Sequence, residues 1–133
     1  MKIRVGNGYD VHKLKEGSSV ILCGIRIPHN KELIGHSDAD VAMHALTDSI
    51  FGALAEGDIG IHFPPTEERW QGANSEIFLR KALLLMTAQK YSILNLDITI
   101  ICEAPKISNY ALKMRENIAR LCSVKTNQVS IKG

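Results

Sequence analysis

No Cys-x-x-Cys pair occurs in these 133 residues, and the three cysteines, Cys23, Cys102 and Cys122, are odd in number and widely spaced. That argues against a disulfide framework and against a thiolate metal cluster, and it fits reduced thiols buried as small apolar side chains in the cytoplasm. No apolar run approaches the roughly 18 residues that a membrane-spanning helix needs, and the N-terminus carries neither a signal-peptide core nor an Arg/Ser-rich transit segment. A membrane partner is therefore not expected. Nor is nucleic acid: 16 basic and 14 acidic residues leave a net charge of +2, with no Lys/Arg cluster long enough for a phosphate footprint. Internal repeats and low-complexity tracts are also missing. What is present, 45% hydrophobic and 23% charged residues, suits one globular domain spanning residues 1–133.

Hydrophobic periodicity divides the chain into seven elements. Residues 2–13 mix β-formers with glycines, and Ser19 to Ile27 is a nearly continuous apolar run ending at Pro28, so two strands are expected to form a hairpin around Gly17. A first helix is predicted from Ser37 to Glu56, opened by Ser-Asp-Ala-Asp as a capping box and stopped by Gly57. After a polar stretch punctuated by Gly and Pro, expected to be a mobile loop, Ser75 to Tyr91 reads as a second helix with Phe78, Ala82, Leu85 and Met86 on one face. Residues 93–103 alternate, with Leu94, Leu96, Ile98 and Ile100 inward, which predicts a strand. Ser108 can cap a third helix whose buried stripe is Ala111, Met114, Ile118, Leu121 and Cys122, and Gln128 to Lys132 begins a last strand. The order β-β-α-α-β-α-β predicts an α/β (α+β sandwich) fold, a mixed sheet with helices packed on one face. A strand interrupted at Gly133 is expected either to continue beyond the sequence or to pair with another subunit, since an open apolar edge invites association.

The chemistry concentrates in the first 75 residues. Asp10 and His12 are two apart on an extended segment and so project to one face, a separation that suits two ligands of one metal; a surface polar pair is the simpler alternative. His44 lies on the first helix with Asp40 one turn before and Asp48 one turn after, a polar stripe that is either a solvated face or a set of half-buried carboxylates orienting a ligand. Two imidazoles and a carboxylate would leave a fourth position open on Zn²⁺, and would also accept Mn²⁺ or Co²⁺. His36 and Ser37 stand at the predicted N-terminus of that helix, where free N–H groups attract anions, although Ser37 can equally be a plain cap. Gly57 to Gly60 and Phe63 to Thr66 form a turn that either lines a pocket or is only a loop.

The runs Gly8-Tyr9-Asp10-Val11-His12, Gly35-His36-Ser37-Asp38-Ala39-Asp40-Val41, His44-Ala45, Thr47-Asp48, Gly57-Asp58-Ile59-Gly60 and His62-Phe63-Pro64 closely resemble the 2-C-methyl-D-erythritol 2,4-cyclodiphosphate synthase family, in order and spacing along the whole chain. Ala104-Pro105-Lys106 looks like the same family's nucleotide-contacting segment. The resemblance implies a homotrimer with active sites at subunit interfaces. Its substrate would be a cytidine diphosphate, 4-diphosphocytidyl-2-C-methyl-D-erythritol 2-phosphate, closed to a cyclic diphosphate with release of CMP, a phosphorus–oxygen lyase reaction of isoprenoid-precursor synthesis. Carried over, Asp10, His12 and His44 bind zinc, and His36 and Asp48 are the catalytic residues, Asp48 standing behind the metal ligands. Substrate contacts would come from Asp10, Val11 and His12, from His36 and Ser37, from Asp58, Ile59 and Gly60, and from the loop Phe63, Pro64, Pro65, Thr66 and Glu67. The nucleotide would meet Cys102, Glu103, Ala104, Pro105, Lys106, Ile107 and Ser108 of a neighbouring subunit.

This chain departs from the family at Asn7, Pro65, Glu67 and Asn74, none of them an implied zinc ligand. The resemblance further implies a C-terminal segment past Gly133 with a glutamate for a second divalent ion, Mg²⁺ or Mn²⁺, which the sequence lacks. Two alternatives follow: a zinc-dependent phosphohydrolase, and a non-catalytic diphosphate-binding module if the chain ends at Gly133. The sequence has no Ser/His or Cys/His nucleophile pattern, in keeping with a reaction whose nucleophile is the substrate's own phosphate.

Overall fold

The computed structural model describes residues 2–35 and 37–133. Six short strands and four α-helices follow one another as β1 (Leu14–Glu16), β2 (Ser19–Leu22), β3 (Ile25–Pro28), β4 (Lys31–Leu33), α1 (Val41–Ala53), α2 (Ile59–His62), α3 (Glu76–Ala88), β5 (Leu96–Thr99), α4 (Ala111–Cys122) and β6 (Val129–Lys132). The mixed α/β class stands. Its pairing is both antiparallel and parallel, divided into three two-stranded ladders: β1 with β4 and β2 with β3 antiparallel, β5 with β6 parallel.

The expected hairpin is redrawn. Instead of pairing with residues 2–13, the apolar run from Ser19 folds on itself, with Leu22 opposite Ile25 and Ser19 opposite Pro28. Its two-residue turn is Cys23-Gly24, both at positive φ (52° and 77°), the left-handed pair that matches the twist of a tight hairpin. A lone glycine inside an apolar run reads as strand interior, and only the turn geometry reveals it. The turn is fixed from two sides. Asp40, fully buried, accepts from the N–H groups of Cys23 and Gly24 at 2.9 and 2.6 Å, and Asn117 of α4 donates to the Cys23 carbonyl at 2.8 Å. Burial pushes the Asp40 carboxyl up to about 6, against the three backbone donors that favour its charge.

Asp40, not Ser37, is the N-cap of α1, accepting from Met43 N–H at 2.9 Å. The helix cap therefore stands three residues later than the Ser-Asp-Ala-Asp pattern suggests. Ser108 likewise caps nothing: it lies in a 3₁₀ turn, Ile107–Asn109, and α4 starts at Ala111 behind Tyr110 without a side-chain cap.

The core lies where α1, α3 and α4 meet the hairpin and the β5–β6 ladder. Met43, Leu46, Ile50 and Phe51 come from α1, Phe78, Leu79 and Ala82 from α3, and Met114 and Ile118 from α4, with Ile98, Ile100, Val129 and Ile131 from the ladder. Leu94, expected inward, is 63% exposed because β5 begins only at Leu96.

Residues 2–13 form no ladder among the described residues. They run along α1 at backbone contact: a Cβ on Gly6 would lie 1.8 Å from the Ser49 carbonyl oxygen, and one on Gly8 1.8 Å from that of Ala45. Only glycine permits such an approach. The alternate residues Ile3, Val5, Tyr9 and Val11 are all well exposed. The period of two thus turns Gly6 and Gly8 to the helix and carries Asp10 and His12 toward the same side.

Candidate metal centre

Three side chains converge where this glycine-lined segment crosses α1. Asp10 Oδ1 accepts its neighbour Val11 N–H at 2.9 Å, which leaves Oδ2 to face two imidazoles. Oδ2 is 3.0 Å from His12 Nε2 and 3.2 Å from His44 Nδ1, and those two nitrogens are 3.4 Å apart. A tetrahedral ion with bonds of about 2.0–2.1 Å has ligand atoms about 3.3 Å from one another, so this triangle has the size of one face of such a site. All three residues are half-buried. The nitrogen and oxygen donor set fits Zn²⁺, Mn²⁺ or Co²⁺.

The electrostatics agree with a cation-binding cluster. Burial acts to raise the Asp10 carboxyl, but hydrogen bonds and attraction from His12 and His44 outweigh it and hold the group well below the usual carboxylate range. The Asp10 hydrogen bond raises His12 above its ordinary value, against the opposing effect of its own burial. Metal ligands must be deprotonated, so a raised His12 sets protons against the ion. Zinc affinity is expected to fall steeply as pH drops through the His12 value and to level off above it, and zinc titrations across that range check this; a flat profile would contradict it. In the metal-free protein the sign is reversed: the His12 contribution to stability is present below the ordinary histidine value and lost as pH rises through the raised one.

His44 is held from behind. Its Nε2 lies 2.8 Å from Ser75 Oγ and 3.0 Å from Ser37 Oγ, and its ring packs edge-on against Phe78 with centroids 5.7 Å apart. Ser37 is thus brought to the triad, though not as a helix cap. His36, expected beside it, lies outside the described residues.

Asp48 meets a backbone donor of α2. Its Oδ1 accepts Ile59 N–H at 2.9 Å, and His44 bonds to Asp10, Ser37 and Ser75 among the described residues. Burial raises the Asp48 carboxyl, with Asp58 and Asp10 adding to the effect and the Ile59 N–H opposing it. The physical consequence is that Asp48 anchors α2, whose N-cap Asp58 accepts Ile61 N–H at 3.0 Å.

The loop expected to be mobile is packed through its middle. Phe63 is buried and sits 4.7 Å from Phe78 and 4.8 Å from Trp70, centroid to centroid. Glu67 accepts from Trp70 Nε1 at 3.1 Å and Arg69 Nε at 2.6 Å. An unbroken chain of ring contacts, Trp70 to Phe63 to Phe78 to His44, therefore joins this loop to a metal ligand. Pro65 and Thr66 remain exposed at its tip.

A groove of about 550 Å³ runs from Asp10, Val11 and His12 to Cys102, Glu103, Ala104 and Pro105. Both stretches border this groove within one chain, whereas the resemblance implies that the nucleotide meets Cys102 to Ser108 of a neighbouring subunit. Lys106 and Ser108 are exposed beyond it, whereas the Ile107 side chain is buried in the core and cannot face a ligand. Ser75 and Asp38, which brace His44, escaped the sequence reading: Ser75 looked like an ordinary helix start, and nothing local distinguishes it.

The relatives give this site its context. The chain is 54% identical over 132 residues to 2-C-methyl-D-erythritol 2,4-cyclodiphosphate synthase of Cereibacter sphaeroides, covering 99% of this chain and 83% of that protein. It is also 54% identical to the bifunctional enzyme IspD/IspF of Ruegeria pomeroyi, of which it spans only 35%. A solved 2C-methyl-D-erythritol-2,4-cyclodiphosphate synthase in a CDP-bound form superposes with a TM-score of 0.91 at 37% identity, over 97% of this chain and 86% of that one. With residues 3–133 matched by the YgbB family model, the chain belongs to the YgbB family.

Proposed function

We propose that this chain, as one domain, converts 4-diphosphocytidyl-2-C-methyl-D-erythritol 2-phosphate into 2-C-methyl-D-erythritol 2,4-cyclodiphosphate and CMP, as a phosphorus–oxygen lyase of isoprenoid-precursor synthesis. The observation that carries the reading is the Asp10–His12–His44 triangle, of which Asp10 and His12 line a groove. It is supported by the named synthases that the chain resembles over 99% of its length.

The bond that forms joins an oxygen of the 2-phosphate to the β-phosphorus, and the bond that breaks releases CMP. Nucleophile and electrophile belong to one molecule, so no enzyme nucleophile is needed, and good orientation alone is worth effective molarities of roughly 10⁵ M or more. Zinc held by the triad would supply charge neutralisation and Lewis-acid polarisation at a phosphate oxygen. Asp10, His12 and His44 would hold that centre, while Ser37, whose Oγ lies 3.0 Å from His44 Nε2, would meet a substrate phosphate. His36 is assigned to stabilising the developing phosphate charge.

Asp58 to Gly60, anchored by Asp48, and the tip from Pro64 to Glu67 would cover the methylerythritol, with buried Phe63 as their base. Cys102 to Ser108 of a neighbouring subunit, with Lys106 at the centre of the segment, would take the cytidine part. We assign the protein to the cytoplasm as a homotrimer with sites at subunit interfaces, and a second divalent ion, Mg²⁺ or Mn²⁺, to the arriving substrate. No helix among the described residues is long and apolar enough to cross a membrane.

Phosphorus NMR of the protein with zinc, magnesium and the substrate tests this reading. Cyclic diphosphate together with CMP is the expected outcome. Linear phosphate products would replace the proposal with a phosphohydrolase, and unchanged substrate in the presence of bound zinc would replace it with a binding module.

A further inference from the structure

The hydrogen bonds behind His44 form a chain whose direction is set by atom type. With Nδ1 turned toward Asp10 and His12, a metal-bound His44 keeps its ring proton on Nε2, which makes that nitrogen a donor. Nε2 faces Ser75 Oγ at 2.8 Å. The Ser75 hydroxyl in turn donates to Asp38 Oδ1, a carboxylate oxygen that can only accept, so the Ser75 lone pair is left free to receive the His44 proton.

Two features show that this serine is committed to that task. It is fully buried, and it occupies the N-cap of α3 without capping it. A serine there ordinarily accepts a helix N–H, whereas here Asn74 Oδ1 takes the Glu76 N–H at 2.9 Å and the Ser75 hydroxyl turns to the histidine. Asp38 is itself fixed: it accepts Ser75 N–H at 3.1 Å and Asp40 N–H at 3.1 Å, and its own N–H donates to the Ala73 carbonyl at 3.0 Å. The loop before α1 and the loop before α3 are thereby joined behind one ring.

We propose that Ser75 and Asp38 are positioning residues of the metal centre: the chain His44 Nε2–H to Ser75 to Asp38 fixes the tautomer and rotation of His44 so that Nδ1 points at the position shared with Asp10 and His12. The inference rests on the triad being a metal site. It also separates two serines that both face Nε2. Ser75 surrenders its proton to Asp38, whereas Ser37 accepts Ala39 N–H at 3.2 Å and, opposite a protonated Nε2, keeps its proton for a phosphate oxygen.

The test measures zinc affinity by chelator competition for the wild type and Ser75→Ala, with folding followed by circular dichroism, alongside NMR of the His44 ring proton in the zinc-loaded wild type. Ser75→Ala is expected to weaken zinc binding about 10- to 100-fold, and the wild-type Nε2 proton to exchange slowly with water. A folded Ser75→Ala protein within about twofold of wild-type affinity overturns the relay, as does a wild-type ring proton in free exchange. Should the variant not fold, the wild-type proton decides. Absence of zinc binding by the wild type removes the metal centre and the relay together, whereas zinc binding unchanged by the substitution removes the relay alone.

Discussion

Gly8→Ala is expected to destroy the metal site without altering a ligand. The added Cβ would lie 1.8 Å from the Ala45 carbonyl oxygen and 2.8 Å from its carbon, both backbone atoms of α1 that cannot rotate away. The N-terminal segment must therefore retreat from the helix by an ångström or so. Asp10 and His12 ride on that segment and His44 on the helix, so the retreat opens a triangle that must hold to within about 0.2 Å for tight coordination. Zinc affinity should drop by about 100-fold or more, and the overpacking should cost about 3 kcal/mol of stability. Zinc titration and urea unfolding measure the two effects. Gly72→Ala, where a Cβ would meet nothing within 4 Å although φ is +73°, provides the contrast: a modest strain cost and an intact site. Wild-type zinc affinity in Gly8→Ala would show that the close approach does not set the ligand spacing.

The second large effect is expected at His44→Ala. The substitution removes one of the triad's three donors and leaves Asp10 and His12 with two, too few to hold an ion against water. CMP release should fall by about 10³-fold or more, equivalent to about 4 kcal/mol of transition-state stabilisation. Stability should change far less. The His44 side chain is 13% exposed and packs on Phe78, so its loss removes some packing, offset in part because alanine is the better helix former. Steady-state CMP release together with thermal unfolding separates the two consequences. A variant that unfolds in step with its loss of activity would mean that His44 matters as a packing residue against Phe78, not as a ligand.

The site was legible where it depended on period and residue type. Asp10 and His12, two apart on an extended segment, share a face, and Ala and Leu around His44 suggest a packed helix, which makes the triad a candidate in the sequence beside the plainer readings of a surface pair and a solvated face. The buried stripes of α3 and α4 were legible for the same reason, through Phe78 and Ala82 and through Met114, Ile118 and Cys122. Features depending on one backbone angle or one long-range contact were not. The Cys23-Gly24 turn hides inside an apolar run because glycine's positive φ leaves no trace in hydropathy. Helix α1 starts at Val41 because Asp40 can also reach the turn of β2 and β3, a tertiary preference that overrides the local capping pattern at Ser37. The packed loop from Phe63 to Trp70 looked unpatterned, since aromatic contacts with Phe78 carry no periodicity. The bond from Ile59 N–H to Asp48 across the gap to α2 is another long-range contact without a local signal.

Zinc-edge X-ray absorption on the protein loaded with a single equivalent of zinc tests whether one cation sits on Asp10, His12 and His44 with a corner open to substrate. The expected spectrum is a four-coordinate nitrogen and oxygen shell at about 2.0–2.1 Å with the scattering of two imidazoles, losing one of them in His44→Ala. A shell containing sulfur at about 2.3 Å, or a zinc spectrum unchanged by His44→Ala, would contradict it.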